Sequence, residues 1–138
     1  MSALSDGQLS DLLAQTHTIA AVGLSGDPAS DSYQVAAYQQ SQGYTIIPVN
    51  PDEKSILGFK AVPDLADIQA PVDIVQVYPH GGATSAIARA ASRIGARALW
   101  LQPGVDAPDT IPDGTQMDYI QHRCFRADPR RLLSHPVM

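Results

Sequence analysis

Four short apolar runs restrict this chain to few architectures. They are residues 18–24 (Thr-Ile-Ala-Ala-Val-Gly-Leu), 44–50 (Tyr-Thr-Ile-Ile-Pro-Val-Asn), 72–78 (Val-Asp-Ile-Val-Gln-Val-Tyr) and 98–102 (Ala-Leu-Trp-Leu-Gln). Runs with so little polar alternation are what strands covered on both faces look like. Between them lie helical patterns. Residues 33–43 place Val35, Ala36 and Tyr38 near one face, with Gly43 as a C-cap, and residues 83–94 are alanine-rich and closed by Gly95. Strands alternating with helices mean a parallel sheet with helices on both faces and right-handed crossovers.

The remaining segments fit around that frame. Residues 4–15 carry Leu4, Leu9, Leu12 and Leu13 at helical spacing, with Ser5 or Asp6 as cap. We expect residues 1–17 to form an N-terminal helix packed on the sheet of one domain spanning 1–138, a length sufficient for a proper core. The run at 44–50 reads as a central strand, although Pro48 lacks a ladder donor and needs a place near a strand end or a bulge. Residues 53–59 read as a loop and 60–62 as a short extended piece. Residues 63–68 read as a short helix with Pro63 in its first turn. Toward the end, 106–114 reads as loop, 117–121 as a last strand and 127–133 as a short helix.

Composition excludes several classes. A net charge of −5, with no Lys or Arg before Lys54, argues against a duplex nucleic-acid binder. No apolar run approaches the ~20 residues of a membrane span. The N-terminus lacks the basic and apolar regions of a signal peptide, and a single cysteine builds no disulfide framework, so the cytoplasm is expected. His17, His122 and His135 show no metal-ligand spacing with Cys124 or each other.

Every unusual turn follows a strand: residues 23–32, Asn50-Pro51, residues 79–82 and residues 102–104. In a parallel sheet these loops meet at one edge, where ligands bind. The first of them runs through glycines into a helix, whose opening N–H groups and dipole favour an anion. This points to the phosphates of a nucleotide-bearing small molecule. A dinucleotide such as NAD fits poorly, because only Gly23 and Gly26 are present and Asn50-Pro51 stands where an acidic residue would meet the ribose. A Gly-Lys-Ser/Thr phosphate loop is absent.

Several segments resemble the small stand-alone CoA-binding proteins, whose domain is similar to the CoA-binding domain of the succinyl-CoA synthetase alpha chain. They are Ile19-Ala-Ala-Val-Gly-Leu-Ser25, Ser32-Tyr-Gln-Val-Ala-Ala-Tyr38, Gly43-Tyr-Thr-Ile-Ile-Pro-Val-Asn-Pro51, Leu57-Gly58, Pro71-Val-Asp-Ile-Val-Gln-Val-Tyr78, Ala98-Leu-Trp-Leu-Gln-Pro-Gly104 and His122-Arg-Cys124. The resemblance implies a Rossmann-like three-layer α/β domain with a mostly parallel sheet of five to six strands. It implies CoA or an acyl-CoA as ligand. Gly23, Leu24, Ser25, Gly26 and Ser32 would lie against the pyrophosphate, and Asn50 and Pro51 would border the adenosine end. Tyr78, Pro79 and His80 would line the cleft, and Gln102 and Gly104 would close it. The chain also departs from the family. Ser30-Asp31 stands where related chains carry Arg-Pro, and Pro79-His80 stands where they carry Arg-Arg or Arg-Pro. With two cations missing and Asp27 and Asp31 added, CoA should bind weakly unless Arg123 or Arg126 reaches in.

Other residues have plainer readings. Trp100 is expected in the core, Cys124 as a small packing residue, and Arg89, Arg93 and Arg97 on a solvated helix face. None of the residues assigned to the site is a nucleophile with a positioned base, so the chain reads as a binder without a reaction of its own. The alternative is a nucleotide- or CoA-dependent oxidoreductase or transferase component. A protein partner or a second copy of the chain remains a further class of partner.

Overall fold

The structure is a computed structural model that describes residues 5–78, 84–102, 105 and 117–121. The expected helix at residues 127–133 and the loop at 106–114 fall outside these. Helix α1 (Asp6–Gln15) begins with a capping box, in which the Ser5 hydroxyl accepts from the Gln8 N–H and the Gln8 side chain accepts from the Ser5 N–H. Strand β1 (Thr18–Val22) leads into helix α2 (Asp31–Ser41), capped by Ser30 and ended past Gln42 by Gly43 at φ +93°. Strand β2 (Thr45–Val49) follows. Next come two two-residue strands, β3 (Ser55–Ile56) and β4 (Phe59–Lys60), and a three-residue 3-10 turn (Leu65–Asp67). Strand β5 (Ile74–Val77), helix α3 (Thr84–Arg93), strand β6 (Ala98–Leu101) and strand β7 (Asp118–Gln121) complete the elements of the described residues.

The main sheet has five strands in the order β2-β1-β5-β6-β7, and every neighbouring pair is parallel. Ile19 lies beside Ile46 on one side and Ile74 on the other, and Ile74 lies beside Ala98. These residues face α1 and α2, whose Leu9, Leu13, Val35 and Ala36 complete that half of the core around Trp100. Alternate residues, including Ala20, Val75 and Leu99, face α3 and the 3-10 turn with Ile87, Ala91 and Leu65. This is a Rossmann-like α/β arrangement.

Three expectations need correcting. The run at residues 45–49 is an edge strand, not a central one. That position resolves the difficulty with Pro48, whose missing donor costs no ladder bond on an outer edge. Its carbonyl accepts from the Val62 N–H, and Val62 in turn accepts from the Asn50 N–H, so residue 62 covers part of that edge. Residues 53–59 are not plain loop but hold most of a hairpin. Leu57 (φ +56°) and Gly58 (φ +82°) form its two-residue turn, with both residues left-handed as such a turn requires. On α2 the buried face is Val35, Ala36 and Gln39, with Tyr38 only half-buried.

Gln39 enters a polar cluster inside the core. Its side-chain N–H donates to Gln76 Oε1 at 2.7 Å, and Gln102 Nε2 donates to the same oxygen at 2.9 Å. Gln76 Nε2 donates to Gln39 Oε1 and to the Tyr78 hydroxyl. Each amide finds partners, which is the condition for burying it without penalty. At the opposite edge of the sheet, Asp73 Oδ2 accepts from the N–H groups of His17 and Thr18, fixing the entry to β1 against the start of β5.

Candidate functional site

Because all five strands run one way, the loops that follow them share one edge. The chain passes from β1 out to β2 and then back across to β5 on the far side of β1, which makes that crevice the switch point where ligands of such sheets bind. Gly23 opens the first loop at φ +85°, and its N–H donates to the Val49 carbonyl. A side chain there would be strained whatever the surrounding space.

Most of the small polar residues in this loop hold the loop itself. Ser32 Oγ accepts from the Ser25 N–H, and Ser25 Oγ accepts from the Asp27 N–H, both at 3.0 Å. Ser30 Oγ caps α2 by accepting from Tyr33 and donates to the Asp27 carbonyl at 2.8 Å. Leu24 is fully buried, and its carbonyl accepts from Asn50 Nδ2, so Asn50 pins the first loop to the second. Asn50 Oδ1 also accepts from the Asp52 N–H. With Tyr33 satisfied by its cap, the first-turn N–H groups of Asp31 and Ser32 are the donors α2 presents to this edge.

Charge on the loop is negative. The Glu53 carboxylate lies over Gly26: a Cβ there would lie 2.7 Å from Glu53 Oε2, the mobile end of an exposed side chain. Asp27 and Asp31 are exposed on the same loop.

Beside it lies a groove of about 480 Å³ between the 3-10 turn and α3, floored by Val22 and Val49 at the ends of β1 and β2. It exists because the crossover from β2 to β5 carries three residues of 3-10 turn where a full helix would cover the sheet. Its lining includes Pro51, which the resemblance would set at the adenosine end, together with Asp64 and Arg93.

Of the other residues assigned from the sequence, Tyr78 and Gln102 are 4% exposed and turn into the α2-side core, where both meet Gln76. Pro79, His80 and Gly104 lie outside the described residues, as do Cys124, Arg123 and Arg126. Sequence reasoning did not single out Asp64, which borders this groove, and set Arg93 on a solvated helix face, where it is exposed as it borders the groove. Pro63-Asp64 before a short helix was a legible capping signal, but nothing in the spacing showed that α3 borders an uncovered strip of sheet.

Comparison with known proteins now bears on this edge. A family model described as a CoA binding domain matches residues 17–127. The chain belongs to this CoA-binding family. The YneT protein of Bacillus subtilis (strain 168) is 37% identical over 101 residues, covering 73% of this chain and 75% of that one. A solved protein from Thermus thermophilus is 29% identical with a TM-score of 0.81, over 94% of this chain and 99% of that one. A hypothetical protein from Pyrococcus horikoshii OT3 is 26% identical with the same TM-score, over 94% and 93%. Membership supports a CoA-type ligand, and among the described residues no helix is long and apolar enough to cross a membrane.

Proposed function

We propose that this CoA-binding protein holds CoA or an acyl-CoA without transforming it. Its pyrophosphate lies against the loop of residues 23–32 and its adenosine lies in the groove beside Pro51. The observation that carries this reading is the placement of the groove: it opens at the carboxyl edge of β1 and β2, where Val22 leads into the left-handed Gly23 and the loop that precedes α2. The binding role is supported by the chemistry of the loop. The hydroxyls of Ser25, Ser30 and Ser32 accept from backbone N–H groups and hold the turn, so none is set up as an attacking group. Asp27, Asp31 and Glu53 oppose a bound pyrophosphate, and the affinity is accordingly modest.

A thermal-shift screen of CoA, acetyl-CoA, longer acyl-CoAs, NAD and ATP tests this. CoA species should stabilise the protein selectively, and Gly23→Val should remove the effect. Gly23→Ala serves as the milder control for folding. Stabilisation by NAD alone would overturn the assignment, as would a CoA response unchanged in both variants. Turnover of an acyl-CoA by the isolated protein would overturn the non-catalytic part.

A further inference from the structure

The loop after β2 sends one side chain onto the loop after β1. A Cβ built at Gly26 would lie 2.7 Å from Glu53 Oε2, 2.9 Å from its Cδ and 3.2 Å from its Oε1. The whole carboxyl group therefore fills the space that the glycine leaves open beside the loop backbone. The chain that carries Glu53 is held on both sides. Before it, Asn50 Nδ2 donates to the Leu24 carbonyl at 2.9 Å, and Asn50 Oδ1 accepts from the Asp52 N–H at 2.8 Å. After it, the Lys54 carbonyl accepts from the Ala61 N–H at 2.9 Å, just outside the β3–β4 hairpin. The base of the side chain is thus fixed against the first loop. The carboxylate itself is not: among the described residues no hydrogen bond or ion pair holds it. Asp27 differs, because its Oδ1 accepts from the Ala29 N–H at 3.0 Å and is engaged in its own turn.

We propose that Glu53 is a built-in competitor for the phosphate loop: its carboxylate stands where the pyrophosphate of the ligand has to lie, and the ligand binds when that side chain has swung out. This rests on the reading that residues 23–32 take the pyrophosphate, and it adds the contact that restrains binding there. A carboxylate and a phosphate carry charge of the same sign and present only acceptor oxygens, so the two do not share one face of Gly26. Glu53 is exposed and its carboxylate is unheld, so swinging out is a change of rotamer that leaves both loops in place. The restraint is then a matter of populations. The observed Kd is the intrinsic one divided by the fraction of molecules with the face uncovered, so a face covered in about nine-tenths of them weakens binding about tenfold.

The test is calorimetric titration of CoA into the whole chain and three variants at one fixed, low ionic strength. Glu53→Ala empties the face and should bind CoA about tenfold tighter than wild type. Glu53→Asp keeps the charge and withdraws it from Gly26 by one methylene, and should gain about threefold or more. Asp52→Asn removes one charge from the neighbouring exposed position, and should stay within about twofold of wild type. Binding by Glu53→Ala no tighter than by wild type overturns the competitor and leaves the CoA reading standing. An equal gain in Asp52→Asn, or no gain in Glu53→Asp, overturns the contact in favour of the net charge of the loop. Absence of CoA binding in both wild type and Glu53→Ala overturns the CoA reading and this inference with it.

Discussion

Replacing Gln76 with leucine tests whether the buried amides fix α2 to the sheet. Gln76 is fully buried and contacts three other polar side chains. Leucine fills nearly the same volume, so the cavity term is small and the cost is electrostatic. Gln39 loses the acceptor of its N–H (2.7 Å) and the donor to its Oε1 (3.3 Å), and Gln102 loses an acceptor at 2.9 Å. Gln39 has 0% exposure, so water cannot replace either partner. At ~1–3 kcal/mol for each buried group left unsatisfied, and with some relaxation toward the surface by Gln102, the loss is about 3–5 kcal/mol. For a domain of this size that lowers Tm by roughly 10–20 °C. The decisive variant is the double substitution Gln39→Leu with Gln76→Leu. It removes both amides of the closest pair together, leaving fewer orphaned groups than Gln76→Leu alone. The two effects should therefore fall short of their sum by about 2 kcal/mol. Urea unfolding followed by Trp100, the single tryptophan and fully buried on the same face of the sheet, reads all three variants. A loss below about 1 kcal/mol for Gln76→Leu, or strict additivity in the double variant, would refute the reasoning.

Two further outcomes follow from tyrosines. Burial pushes the Tyr44 phenol above its ordinary value, with Tyr38 adding to the rise. The folded state therefore favours the neutral phenol. Its contribution is whole below about pH 10, where the unfolded phenol titrates, and is lost as the pH rises through the higher folded value. Urea midpoints should fall between about pH 9 and 11, and Tyr44→Phe should fall less steeply; identical slopes would count against this. Among the described residues, the buried hydroxyl of Tyr119 on β7 has no hydrogen-bond partner. Tyr119→Phe should raise stability by about 1 kcal/mol, and a loss of stability in the same urea assay would show that the hydroxyl is satisfied.

The alternation of apolar runs and helical patterns made the parallel sheet legible, and the turn residues after each strand marked the edge where the candidate site lies. Both signals are local: a buried strand needs a continuous apolar run, and a strand-to-helix turn needs glycine or a capping hydroxyl wherever it occurs. Strand order is not local. Residues 45–49 are as apolar as a central strand because one face packs on α1 and α2 and the other lies by Val62 and the 3-10 turn, yet only β1 pairs with them along their length. Pro48 was the legible sign of an edge, and it outweighs the apolar run. Gln39 was hidden for a related reason: its polarity is cancelled by Gln76, 37 residues away, which no helical periodicity on α2 can display.

The same distinction between local and distant causes separates the two halves of the candidate site. The loop of residues 23–32 is written contiguously, so its glycines and hydroxyls could be read directly. Even so, its hydrogen bonds assign Ser25, Ser30 and Ser32 to holding the turn. The groove has no contiguous signature. It results from what the crossover between β2 and β5 lacks, a full helix over Val22 and Val49, and its polar groups come from residues 29 positions apart. Its two charged side chains, Asp64 at the cap of the 3-10 turn and Arg93 on α3, come from different elements.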